Sequence, residues 1–290
     1  MKNLQLTIAL GIAFISNISS PLQLQALPVN HHLASVEFIP PPPPPDRSAT
    51  GSRSGAASRG CDAANQTLTA LVPIYQQTLD QGTQAVIPIT QVWGLTNAEH
   101  PYFLFFVPYN ASSIANIEFV LQEQTQNKSQ TLYRTYLTPP ESPGIISVHL
   151  PPSEASLQVG KMYHWFFKVR VQCDQKQPTK LDYADGWVQR IDPNSTLTAQ
   201  LKQATPQQKA TLYAANGVWY DAIISLAELR HISPKNEILL TNWTTLLNSA
   251  GLEEIANQPL INCCKPSLKN NFQNPKQNSE TENSERHFPN

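Results

Sequence analysis

Between residues 61 and 192 the apolar positions recur mostly every second residue, the spacing of half-buried strands. Strands are predicted at 67–74, 84–95, 102–108, 116–123, 131–138, 144–150, 161–173 and 181–191. The clearest is 161–173, where Tyr163, Trp165, Phe167, Val169 and Val171 share one face while His164, Lys168, Arg170 and Gln172 fall on the other; Phe166 breaks the alternation. Residues 102–107 are apolar on both faces, as in a central strand covered on each side. Pro88 cannot donate to a ladder, so it confines the second strand to an edge or marks a bulge. Strands separated by turn signals, without helices between them, predict an antiparallel β-sandwich over 61–193.

After Asp192 the period lengthens to that of a helix, which predicts a small all-α subdomain over 194–262. Thr205 caps a helix begun by Pro206, Gly217 ends it in a left-handed residue, and Ser233 with Pro234 repeats the start signal. Trp219, Ala222, Ile223, Leu226 and Leu229 or Arg230 make one amphipathic stripe; Ile238, Leu239, Trp243, Leu246 and Leu247 make another. An interval of 34 residues links Leu212 to Leu246, Tyr213 to Leu247, Gly217 to Gly251, Ala222 to Ala256 and Leu226 to Leu260. The second copy meets Pro259, which truncates its closing helix to a half-repeat cap.

Both ends differ in character. Lys2, the apolar run 4–18 and the segment Leu24-Gln25-Ala26 predict a signal peptide over 1–26, cleaved after Ala26, and hence a periplasmic or secreted protein. The run is too short for a membrane span, and no other segment is longer, so the chain is not expected to span a membrane. Residues 27–60 contain six consecutive prolines, 40–45, followed by small and polar residues; a disordered proline-rich linker is expected, a plain tether in preference to one whose Arg47, Arg53 and Arg59 touch anionic polymer. Residues 263–290 are expected to be a disordered polar tail.

The formal net charge is −1, and loss of Lys2 with the signal peptide makes it −2, which argues against a nucleic-acid partner. Charged residues at 14% with 25 prolines suit an extracytoplasmic, loop-rich chain. Of the four cysteines, Cys173 ends the seventh strand with inward parity and Cys61 opens the folded region, so a Cys61 to Cys173 disulfide is expected. Cys263 and Cys264 are adjacent, and exposed thiols or intermolecular bridges are expected there. No histidine stands at ligand spacing from either pair, so no metal site is expected, and no cofactor motif is present.

Leu157, Gly160, Tyr163, Trp165 and Phe167 follow the L-x-x-G-x-x-Y-x-W pattern that resembles the tyrosine corner of immunoglobulin-like and fibronectin-III-like Greek keys. That resemblance implies a tyrosine hydroxyl bonded back to the preceding turn where the chain crosses between sheets. Tyr213, Gly217, Ala222, Leu226 and Pro234 stand at intervals that resemble a tetratricopeptide repeat. The motifs PPPPPDR, SRGC, LTNAEHPYFLFFVPY, EFVLQ, PGIISVHLP, VGKMYHWFF, GWVQR and GVWYDAIISLAELR together resemble the secreted cyanobacterial domain-of-unknown-function 928 proteins over 40–260. What this implies is export and a shared order of parts. It supplies no activity.

Three readings of function follow. The first is an exported cell-envelope interaction or scaffolding protein, with a protein or envelope polysaccharide as partner. The second is a polysaccharide-binding sandwich, for which Trp187 beside Arg190 offers a stacking ring and a charged donor. The third is an envelope hydrolase, which needs Glu99, His100, His149, His164, Asp182 and Asp185 to be gathered by the fold. No nucleophile elbow, H-E-x-x-H or P-loop supports it, so the reading leans away from an enzyme.

Overall fold

The computed structural model describes residues 35–44, 49–55, 66–80, 86–125, 128–174 and 176–266. Strands β1 (Thr69–Ala70), β4 (Tyr102–Val107) and β7 (Gly144–His149) form one sheet in the order β1-β4-β7. Strands β2 (Ile74–Asp80), β3 (Val86–Thr96), β5 (Ile114–Thr125), β6 (Lys128–Leu137), β8 (Met162–Val171) and β9 (Lys180–Arg190) form the other, ordered β2-β3-β9-β8-β5-β6. The sheets face each other through rings: Phe105 stacks on Phe167 at 4.0 Å, and Phe103 meets Phe119 at 5.0 Å. Each such pair contributes about 0.5 to 1.5 kcal/mol beyond the apolar area it buries.

The alternation in β8 is the one expected. Tyr163, Trp165, Phe167, Val169 and Val171 are all buried, and Phe166 lies on the outer face beside His164. The Tyr163 hydroxyl accepts a hydrogen bond from the Gln158 amide at 2.9 Å, across a turn in which Gly160 has φ +81°. That bond fixes the passage from β7 in one sheet to β8 in the other. Two expectations need correction. The six-stranded sheet is mixed: β3 and β9 run parallel from Trp93–Trp187 to Thr96–Arg190, because β9 returns from β8 in the direction of β3. Nor is β3 an edge strand, but Pro88 lies in its first half, opposite Thr78 of β2 and before β9 joins at Trp93. The 67–74 segment is a two-residue strand, and β2 beyond it has no apolar alternation to reveal it.

Four helices follow: α1 (Ser195–Gln203), α2 (Pro206–Ala215), α3 (Trp219–Ile232) and α4 (Glu237–Asn248). Thr205 caps α2, with Pro206 in the first turn as expected, and Gln208 completes a capping box. Ser233, by contrast, ends α3, and Asn236 caps α4 through its Oδ1, so Pro234 lies in the turn between them. The 34-residue register is kept at the helix ends. Val218 donates to the Tyr213 carbonyl and Leu252 to that of Leu247, with Gly217 at φ +73° and Gly251 at φ +66°. The second copy then shrinks to a single 3-10 turn, Glu253–Ile255. Ala222 and Leu226 are fully buried, while Ile238, placed on the apolar stripe by sequence, is 48% exposed.

The largest difference lies in the segment expected to be a linker. Val36 and Phe38 are core residues, with Phe38 edge-on to Trp219 at 4.9 Å and its amide on the Ser249 hydroxyl. Residues 50, 52 and 54 bridge to Gln91, Asp185 and Thr69, and the Arg53 guanidinium donates to the carbonyls of Ala250 and Gly251 at the end of α4. Arg53 is therefore engaged; Arg47 and Arg59 lie outside the described residues. Composition concealed this strap because each anchor is a single side chain or a backbone bridge without periodicity. Residues 1–34 and 267–290, which hold the expected signal peptide and most of the tail, also lie outside the described residues.

Candidate functional site

The outer face of β4 and β7 carries Leu104 and Ile145 as an apolar floor, and α3 stands beside it with Ile224 and Ala227 as a wall. After α4 the chain returns along the free edge of β7, where the Ile145 amide donates to the Pro259 carbonyl and the Ile261 amide to the Ile145 carbonyl, both at 2.8 Å. Between these three elements lies a hollow of about 350 Å³. That volume falls at the lower end of small-ligand pockets, roughly 300 to 1,000 Å³. Tyr102, Glu228, His231 and Asn262 stand around its mouth.

Electrostatics at the mouth are one-sided. Burial, then the nearby Glu228 carboxylate, raises the Tyr102 hydroxyl above its ordinary pKa. His149, stacked on Tyr102 at 4.0 Å, is held below the usual histidine range by burial. Among the described residues no lysine or arginine lines the hollow. The site thus joins an apolar interior to an acidic, hydrogen-bonding rim, suited to holding an apolar group presented with donors or a positive charge.

The acid/base candidates are only partly gathered. His164 and Asp185 pair across β8 and β9 at 2.8 Å, and the Ser52 amide occupies the other oxygen of Asp185 at 3.1 Å. Asp182 points to the opposite face, buried, and accepts from the Tyr109 hydroxyl at 2.6 Å. Glu99 pairs with Arg190 at 3.0 Å, and His100 reaches the Glu154 carbonyl at 3.2 Å. His149 stands by the hollow instead. The six residues therefore divide among several places rather than converging on one reacting centre.

Trp187 and Arg190 do not form the candidate platform; Trp187 packs as core, the other reading its place on a closing strand allows. Trp187 is 8% exposed: His164 stacks on its ring at 4.2 Å, and its indole donates to the Thr50 carbonyl at 2.9 Å. Arg190 is spent on the Leu157 carbonyl at 2.7 Å as well as on Glu99. Strap residues 49 and 50 cover what the sequence left open.

Cys173 is disulfide-bonded, and Cys61, its expected partner, lies outside the described residues. Cys263 and Cys264 are bonded to each other rather than exposed as thiols, and Cys264 adopts φ +75° to close the ring. Among the described residues no group of three or more His, Cys, Asp and Glu side chains comes together that could hold a metal ion. No helix among them is long and apolar enough to cross a membrane.

Residues 53–260 match the family described as Domain of Unknown Function (DUF928). The chain belongs to that family. The DUF928 match takes in β4, β7 and α3 whole, begins at Arg53 of the strap and ends at Leu260, which bridges Ile145 at the hollow. The floor and the helical wall are thus family elements. None of the curated proteins matches the chain.

Proposed function

We propose that this chain is an exported interaction or scaffolding protein of the cell envelope, and that it binds through the hollow between the small sheet and α3. The observation that carries this reading is the hollow itself: an apolar interior with an acidic rim, built where helix and sheet meet, while the acid/base candidates lie dispersed. Export rests on the signal-like segment 1–26, with the mature chain beginning at Leu27 and Cys61 bonded to Cys173. The Gln158–Tyr163 bond supports kinship with immunoglobulin-like or fibronectin-III-like sandwiches, and the matched caps at Gly217 and Gly251 support a tetratricopeptide-like helical unit.

Crosslinking of envelope extract to the full mature chain tests the binding. A defined component captured by the wild type and lost when Ala227→Trp fills the hollow supports the reading; capture indifferent to that change moves the binding surface elsewhere. Intact mass of protein recovered outside the cytoplasm tests export, since a retained residue 1 excludes it. A second reading is polysaccharide binding on the outer face of the larger sheet. It is favoured by the cross-strand row Tyr136, Glu118, Lys168 and Tyr183, in which Tyr183 is 47% exposed. Retention on insoluble peptidoglycan, lost in Tyr183→Ala, distinguishes it.

A further inference from the structure

We infer that the hollow receives an extended peptide which adds as a strand to the open edge of β7 at Ser147 and His149 and places an aliphatic side chain inside. This deepens the interaction reading above and rests on it. The backbone polarity comes first. Within β7 the alternate residues 144, 146 and 148 face β4, while Ile145, Ser147 and His149 turn their amides and carbonyls to the outer edge, because antiparallel pairing alternates bonded and open positions. At Ile145 the outward pair is taken by Pro259 and Ile261 of the same chain, in parallel register with Leu260. That ladder stops after one bridge, since the chain then leaves to pair at Thr138 and Leu137 of the other sheet.

Ser147 and His149 are left with outward backbone groups that bond nothing among the described residues, and Ser147 is exposed. An unpaired edge is a template for a further strand. The edge has already accepted a strand of its own chain, and the hollow opens beside it, where alternate side chains of an added strand are received. Its lining selects an aliphatic group. Charge selects the flanks: among the described residues Glu228 is exposed at the mouth with no ion-pair partner and no lysine or arginine lines the site, so a basic neighbour is favoured and an acidic one repelled.

The probe is the peptide acetyl-Lys-Val-Ile-Val-Lys-amide, titrated into the full mature chain with hydrogen exchange read at single amides. The expected result is saturable binding with slower exchange at Ser147 and His149. Methylation of alternate peptide nitrogens, which removes ladder donors and leaves the side chains, is expected to weaken binding about tenfold or more, and replacement of lysine by glutamate to weaken it as well. Two variants read the two halves of the site separately: Ala227→Trp fills the hollow, and Ser147→Pro removes the outward donor from an edge position that tolerates proline. Each is expected to reduce affinity at unchanged thermal midpoint, and if one unfolds the other and the methylated peptide still decide. Hexylamine binding as tightly as the peptide, or indifference to peptide methylation, overturns the inference by making the hollow a small-molecule site. So does the absence of peptide binding. If an envelope component is still captured through a surface that Ala227→Trp does not touch, this inference fails while an interaction role survives.

Discussion

The indole nitrogen of Trp165, in the middle of β8, donates to the hydroxyl of Tyr220 on α3 at 2.8 Å, and that hydroxyl in turn donates a hydrogen bond to the Trp187 carbonyl at 3.1 Å. All three groups are buried, so a helix side chain completes the polar satisfaction of the sandwich core. Burial holds the Tyr220 hydroxyl far above its ordinary pKa, and it stays protonated. Tyr220→Phe keeps the ring against Phe103 but leaves the Trp165 N–H unpaired. The expected cost is about 1 to 3 kcal/mol by chemical denaturation. A change below about 0.5 kcal/mol means that water replaces the hydroxyl.

Asp221, the neighbour of Tyr220, accepts from the Thr96 hydroxyl at 2.7 Å and from the Asn97 amide at 2.9 Å, tying the first turn of α3 to the end of β3. Burial raises its pKa to about 6 in spite of those bonds. The folded state then holds a proton that the unfolded chain has released, so stability falls as pH rises from about 4 to about 6 and is level above. Acidification from pH 6 to pH 5 is expected to add about 1 kcal/mol from this group. In Asp221→Asn that slope should vanish, measured as denaturation midpoints across pH 4 to 7.

The two glycines of the 34-residue register separate two effects. Gly217 and Gly251 share a positive φ, so alanine at either meets the left-handed penalty of about 1 to 2 kcal/mol. A Cβ at Gly217 would also stand 2.8 Å from Cδ of Pro41, whereas one at Gly251 meets nothing within 4 Å. Gly217→Ala should therefore cost more than Gly251→Ala. Equal costs would mean that the proline segment gives way freely.

Much of the architecture was legible in the sequence, for reasons that also explain what was not. Strand β8 alternates because one face is core, and α3 shows its stripe because Trp219, Ala222, Ile223 and Leu226 are all buried on one side. Strand β2 shows no such pattern because Gln76 and Thr78 are exposed and Tyr75 and Gln77 only partly covered. Helix α1 buries one residue, Leu197, too little for a period. The hollow was hidden most deeply: its floor, wall and edge come from β4, β7, α3 and 259–262, and no spacing within one segment reports their meeting. The cover on Trp187 was hidden for the same cause, since it arrives from Thr50.

The strap gives a further expectation, opposite to the one composition suggests. Removing residues 27–60 takes Phe38 from Trp219, Arg53 from the end of α4 and the cover from Trp187. Deleting a buried phenylalanine alone costs about 3 to 5 kcal/mol. The truncated chain should therefore melt well below the full mature protein by calorimetry, and Phe38→Ala should reproduce a large share of the loss. Coincident melting curves would show that the strap is only laid on the surface.

Arg53 finds its carbonyls 197 and 198 residues further along the chain, and Phe38 finds the Ser249 hydroxyl across 211. During synthesis the strap is among the first described parts to emerge, yet the partners of these two side chains are among the last. Closure of such distant contacts is slow, because chain entropy is lost before the contacts return it. Residues 53 and 55 meet Ala70 and Leu68 close by in the chain, but the contacts of Phe38 and of the Arg53 guanidinium have to wait until α4 has been made. For these two side chains birth order and closing order run in opposite directions.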